Sequence, residues 1–291
     1  MLSSAALLTA IALLYTVQAY VCARLMARHA AKLGLVRMNY RNEPIVASLG
    51  LSLAAPAVFC YFLAAIADSD HAGLWSAFAA VAFAAGLLGL MDDRLGSRDV
   101  GGFRGHFGEL RRGRLTTGAA KALFLPCGVF LTAILLLRQG VIPAVFTTLL
   151  VALSANAVNL LDVRPARAVT AWLAAVVGLG ALAIAVGGSL WPVGILCGGV
   201  LLYWPEDAGR RGMLGDVGSN FLGAVMGLQV AVATPAWAQC ILGGLLLSLN
   251  VYCERHSLSA AIDRSSWLRW MDAPGRWALR CQEGNRNHAV S

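Results

Sequence analysis

The sequence predicts an all-α, polytopic membrane protein of about nine transmembrane helices. Two observations carry this. Of 291 residues, 58% are hydrophobic and only 13% are charged, against roughly 45–50% apolar and about 25% charged in soluble domains. The apolar residues also fall in runs of about 20, the length that crosses a bilayer as a helix. An ordinary soluble enzyme, a disordered chain and a nucleic-acid-binding module are excluded, and the expected environment is the bilayer. The seven cysteines form no CxxC pair and most lie inside apolar runs. They read as small membrane-core residues, not as disulfides or metal ligands.

The runs are 3–23, 45–67, 74–91, 118–137, 141–161, 169–186, 190–204, 216–233 and 236–253. The first lacks a basic leader, so Ser3–Cys22 reads as a span and not as a cleaved signal peptide. The seventh is short and reads as broken or steeply tilted. The breaks are short polar or Gly/Pro-containing stretches, as turns between antiparallel helices require. Residues 1–253 then form the membrane domain, and residues 254–291 form a cytoplasmic or interfacial amphipathic tail. That tail carries Trp267, Trp270, Met271 and Trp277 among arginines. It reads as a surface-lying helix broken near Pro274-Gly275.

Every second loop is basic. Of the 23 Lys and Arg residues, all but Arg138 fall in the segments 24–44, 92–121, 162–168, 205–215 and 254–291. The positive-inside rule places those segments in the cytoplasm, the N-terminus outside and the C-terminus inside. The outer loops are a few residues long, so chemistry is expected in a cleft on the cytoplasmic face.

Carboxylates stand on that face where a membrane protein avoids them. Asp92 and Asp93 end the third span, at a helix C-terminus where the macrodipole disfavours negative charge. A solvated acidic helix end is one reading; a divalent-cation site that offsets both penalties is the other. Asn156, Asn159 and Asp162 lie at i, i+3 and i+6 at the inner end of the fifth span, on one helical face. Such a polar stripe marks a functional site or a polar helix–helix contact. Asp216 precedes the eighth span in Met213-Leu-Gly-Asp-Val-Gly-Ser219. It suits a helix N-cap as well as a ligand. Hard oxygen donors with no His/Cys cluster point to Mg²⁺, or Mn²⁺, and to phosphate substrates.

The loop Gly101–Gly118 combines glycines with arginines, which permit close approach and supply anion-binding forks. Arg104 and His106 are its candidate substrate contacts. Thr116 or Thr117 is placed to cap the fourth span, with Lys121 one turn in, a plausible phosphate cradle. No Walker P-loop and no GxGxxG occurs, so ATP and NAD use have no support.

These motifs, in this order, resemble those of the polyprenyl-phosphate N-acetylhexosamine-1-phosphate transferase superfamily. Gly89-Leu-Met-Asp-Asp93 is similar to its GxxDD, Asn156-Ala-Val-Asn-Leu-Leu-Asp162 to its NxxNxxD, and Met213–Ser219 to its MGDxGS. Asn39-Tyr-Arg-Asn-Glu-Pro-Ile45 followed by Gly50 is a weaker echo of its N-terminal Pro…Gly-Gly region. The resemblance implies a fold of about ten helices with a cytoplasmic cleft in a bacterial inner membrane. It implies Mg²⁺-dependent transfer of a HexNAc-1-phosphate, GlcNAc-type, from a UDP-sugar to polyprenyl phosphate, releasing UMP and initiating an envelope glycan. Carried over, Asp216 ligates the metal, and Asp92 or Asp93 activates the lipid phosphate or assists the metal. Asn159 and Asp162 contact the metal–diphosphate, with Asn156 beside them, and Lys121 contacts the diphosphate. A homodimer is compatible with the resemblance.

The chain departs from the pattern in three places. The usual DGLDG continuation is replaced by Asp162-Val-Arg-Pro-Ala-Arg167, with Pro165 at the second aspartate position. The His-rich motif of the last cytoplasmic loop is absent around Arg255-His256-Ser257, and no tenth span follows it. These mark a divergent branch. A catalytically inactive relative that binds polyprenyl phosphate, or scaffolds envelope assembly, is the competing expectation. A transporter is a third, disfavoured because the polar residues cluster at one face and not at the midplane.

Overall fold

A computed structural model describes residues 3–38, 44–96, 105, 108–109, 111–113 and 116–278. Arg104, His106 and Cys281 lie outside the described residues, as do 39–43 of the weaker echo. Nine long helices account for most of the chain: α1 (Ser4–His29), α2 (Leu51–Ala67), α3 (Ala72–Leu95), α4 (Thr117–Leu135), α5 (Val141–Leu161), α6 (Arg167–Val186), α7 (Trp191–Ala208), α8 (Gly215–Ala233) and α9 (Ala236–Cys253). They coincide with the nine apolar runs. Seven of them (α1, α3–α6, α8 and α9) are long and apolar enough to cross a membrane. The chain is a helical, multi-pass membrane protein. Of the other two, α2 is apolar but spans only 17 residues, and α7 ends in the polar Glu206-Asp207.

The helices are arranged around α8, in which every residue from Val217 to Ala231 is buried. A helix buried on all sides needs neighbours that come close, and its small residues supply that. A Cβ on Gly223 or Gly227 would lie 2.4 Å from the Ser154 carbonyl or 2.6 Å from that of Leu150. That fit seats α8 directly on the α5 backbone, the small-residue packing that membrane helices use. α3 packs on another side of α8, and α2, α6 and α7 complete its surroundings. Large apolar side chains such as Ile66, Ile142, Val177 and Ile184 are exposed on the outside, as lipid-facing residues are. The six described cysteines are all free.

One feature corrects the all-helical expectation. Val36–Met38 (β1) and Pro44–Val46 (β2) pair antiparallel, with Arg37 opposite Ile45. A parallel bridge joins Val46 to Gly212. The Met213 amide donates to the Val46 carbonyl at 2.8 Å, and the amides of Leu49 and Gly50 donate to Met213 and Leu214 at 2.9 and 3.0 Å. The backbone before α2 is thus fastened to the backbone before α8. Three-residue strands carry too little alternation to be read from sequence.

The tail also differs from expectation. It forms a short helix α10 (Leu258–Arg264) and a 3₁₀ turn over Leu268–Asp272. The interruption falls at 265–272, whereas Pro274 lies near the start of a helical turn over 273–278. There the missing proline N–H is of no consequence.

Candidate functional site

The ends of α3, α5 and α8 that carry the motif residues meet the end of α7 at one cavity of about 760 Å³. Its wall includes five carboxylates, Asp92, Asp93, Asp162, Asp207 and Asp216, and three arginines, Arg37, Arg164 and Arg210. Four of the five carboxylates belong to the three motifs. Motif segments far apart in sequence, from Asp92 to Asp216, are thereby brought to one place.

The meeting of α3 and α8 depends on Gly89. A Cβ there would fall 2.3 Å from the carbonyl oxygen of Asp216. Only glycine lets the two backbones touch at this point. One turn further along α3, the two adjacent aspartates point to different tasks. Asp93 accepts the backbone amides of Asp216 at 2.9 Å and Val217 at 3.2 Å, and the hydroxyl of Ser48 donates to it at 2.8 Å. Its carboxylate caps the N-terminus of α8, where orphan amides and the helix dipole favour an anion. The capping role that the sequence allowed for Asp216 thus falls to Asp93.

Asp92 faces the other way. Thr117 donates to its Oδ1 at 2.6 Å and Lys121 to its Oδ2 at 2.9 Å. The same Lys121 ammonium donates to Asp216 Oδ2 at 2.7 Å. Thr116, not Thr117, caps α4 by accepting the Ala119 amide. Asn159 Nδ2 lies 3.4 Å from Asp216 Oδ2, and the Ser219 hydroxyl donates to Asn159 Oδ1 at 3.0 Å. Asn159 therefore orients Asp216. Asn156 is not part of this group: its amide donates to Asn250 on α9, a polar helix–helix contact. Among the described residues, no three His, Cys, Asp or Glu side chains gather into a metal shell. Asp92 and Asp216 converge on the Lys121 ammonium.

Asp162 ends α5, half-buried on the cavity wall. Burial, and then the charges of Asp207, Asp216 and Asp93, push its carboxyl well above the ordinary value, and the Gly215 backbone N–H opposes this. Sequence reasoning missed Asp207. It is buried at the end of α7 and accepts the Ala166 amide at 3.0 Å, holding the α5–α6 turn where Ala166 takes a left-handed conformation. Its signal was the one that singled out Asp92: an acidic residue at a basic-side helix C-terminus.

The segment 162–167 after α5 has its own use. Arg167 is fully buried and donates to Asp272 at 2.6 and 2.9 Å. Arg164 donates to both oxygens of Asp263 at 2.7 Å and to Asp272 at 3.1 Å. Two arginines thus bind the tail beside the cavity. Burial alone would raise the Asp272 carboxyl, but Arg167 and Arg164 outweigh it and hold it below the usual carboxylate range.

Comparison with protein-family models gives no match, and comparison with curated protein sequences gives none either. What the site can do is argued from its own chemistry. Carboxylates suited to positive charge and arginines suited to anions are placed around one cavity large enough for a small-molecule ligand.

Proposed function

We propose that this chain is a membrane-embedded glycosyl-1-phosphate transferase, acting on a UDP-N-acetylhexosamine and a polyprenyl phosphate at a cytoplasmic cleft of a bacterial inner membrane. The observation that supports this reading best is the convergence of the three motifs, Asp92/Asp93, Asp162 and Asp216, on one cavity. In this reading the helices alternate in direction, with the N-terminus outside and the C-terminus inside, as the one-sided distribution of lysine and arginine calls for.

A divalent cation suits the residues present. Mg²⁺ takes one or two protein carboxylates and completes its shell with water and substrate phosphate oxygens, so it needs no third protein ligand. Asp92 and Asp216 already converge on a single positive charge. When bound there, Mg²⁺ would offset the charge of the donor diphosphate.

The lipid phosphate oxygen attacks the donor β-phosphorus. The bond from that phosphorus to the oxygen bridging to the α-phosphate breaks, and UMP leaves with that oxygen. The phosphate is largely ionised near neutral pH, so no general base is required. The protein's task is placement and charge compensation. Asn159 and Ser219 hold Asp216 in orientation, and Asp93 fixes the helix start that carries it. Arg37 and Arg210 on the cavity wall offer positive charge to the two anionic substrates, while Arg164 is engaged by Asp263 and Asp272.

The test is UMP release by purified protein with undecaprenyl phosphate, Mg²⁺ and a panel of UDP-sugars. Release with one donor, lost with EDTA and in Asp216→Asn, supports the transferase. Retained binding of the lipid phosphate without UMP from any donor favours a non-catalytic prenyl-phosphate-binding protein instead.

A further inference from the structure

We infer that the Lys121 ammonium is the resident occupant of the cation position between Asp92 and Asp216, and that a divalent cation loads by displacing it. This rests on the metal-dependent reading above. Lys121 Nζ lies 2.9 Å from Asp92 and 2.7 Å from Asp216, and the three side chains are only 16–29% exposed. Two carboxylates that share one point cannot both stay ionised there without a cation. In the ligand-free protein Lys121 supplies it.

The residue type fits this exchange. The chain has 23 basic residues, of which Lys32 and Lys121 are the only lysines; every other one is arginine. An ammonium is a compact point charge on a flexible stem, the nearest side-chain equivalent of a metal ion. A guanidinium is a wide planar fork that would hold the carboxylates apart. Asp92 and Asp216 each have a partner besides Lys121, Thr117 at 2.6 Å and Asn159 at 3.4 Å respectively, and both line the cavity. They remain in place when the cation between them changes. An ammonium and a divalent cation cannot occupy the same position, because each repels the other at contact distance. Loading therefore releases Lys121 beside the cavity, where its charge becomes free to meet the donor diphosphate.

The experiment measures Mn²⁺ binding to the purified full-length protein without substrates, from the electron paramagnetic resonance signal of free Mn²⁺. Lys121→Met and Lys121→Gln are expected to bind Mn²⁺ about tenfold or more tightly than the unmodified chain. Asp216→Asn is expected to lose binding. Equal or weaker binding in both Lys121 variants, with binding intact in the unmodified chain, overturns the exchange and leaves the metal-dependent reading standing. Absence of Mn²⁺ binding in all of them overturns both.

A second measurement needs no variant. The exposed Lys32 serves as an internal reference for acetylation by acetic anhydride, read by mass spectrometry. Mn²⁺ is expected to speed acetylation of Lys121 relative to Lys32 about tenfold. An unchanged ratio in protein that binds Mn²⁺ overturns the exchange.

Discussion

Asp93 accepts the backbone N–H of Asp216 at 2.9 Å, so one motif aspartate fastens the helix that carries another. Its neighbour Asp92 shares the Lys121 ammonium with the Asp216 side chain. Two adjacent carboxylates thus divide their partners, the amides that start α8 for Asp93 and the shared ammonium for Asp92, set by which side of α3 each leaves.

This division is testable by substitution. Asp93→Ala removes the cap of α8 and is expected to cost about 0.5–2 kcal/mol of stability. Asp92→Asn keeps the side-chain shape and is expected to leave the melting temperature in detergent within about 2 °C of the unmodified chain while abolishing turnover. Melting curves and UMP release on both variants check this. Equal destabilisation by the two would refute the division.

Gly89→Ala is expected to force α3 and α8 apart at the Asp216 carbonyl, costing about 1–3 kcal/mol by overpacking. Gly128→Ala and Gly178→Ala, where a new Cβ meets nothing within 4 Å, are expected to be tolerated. Thermal melts of the three variants separate a requirement for close approach from a general need for glycine in helices.

Arg167→Met leaves Asp272 buried without its bidentate partner. The expected cost is about 3–5 kcal/mol, concentrated in residues 258–278. Hydrogen exchange in that segment is expected to rise, while α8 stays protected. Protection of the segment unchanged from the parent chain would show that the arginine does not hold the tail.

The same contact sets a pH dependence. The Asp272 carboxyl is held below its ordinary value in the folded chain, so its contribution is present above the unfolded value of about 3.9 and is lost as pH falls through the folded one. Hydrogen-exchange protection of 258–278, corrected for intrinsic rate, is expected to be constant from about pH 5 to pH 8. It is expected to fall only below about pH 4. Loss of protection between pH 6 and pH 7 would contradict the assignment to Asp272.

The helices were legible because each falls on an apolar run; all nine runs reappear as helices α1–α9, seven of them long and apolar enough to cross a membrane. The carboxylates Asp92, Asp93, Asp162 and Asp216 were legible because each stands at a helix end, where a charge next to lipid needs a reason. What the sequence hid is what side chains decide after packing. Nothing local distinguishes Asp92 from Asp93, because their roles depend on α8 lying against one side of α3. Asn156 and Asn159 share a helix face, yet one turn separates a contact with Asn250 from one with Asp216. Arg164 and Arg167 count as topology signals in the sequence. Their partners Asp263 and Asp272 lie about a hundred residues away, beyond any pattern read along the chain. The short β1–β2 pairing was missed because three-residue strands carry too little alternation, and its bridge to Gly212 joins segments distant in sequence.

The central claim is transfer of a sugar phosphate to a lipid phosphate at this cavity. The most direct measurement supplies UDP-sugars labelled with ³²P at the β-phosphorus, together with undecaprenyl phosphate and Mg²⁺, and follows the label between aqueous and organic phases. For the accepted donor, β-label is expected to move into the organic phase while α-label stays in aqueous UMP, and Asp92→Asn and Asp216→Asn are expected to stop both. Full transfer in either variant would contradict the site, and β-label that never leaves the aqueous phase with any donor would contradict the transferase.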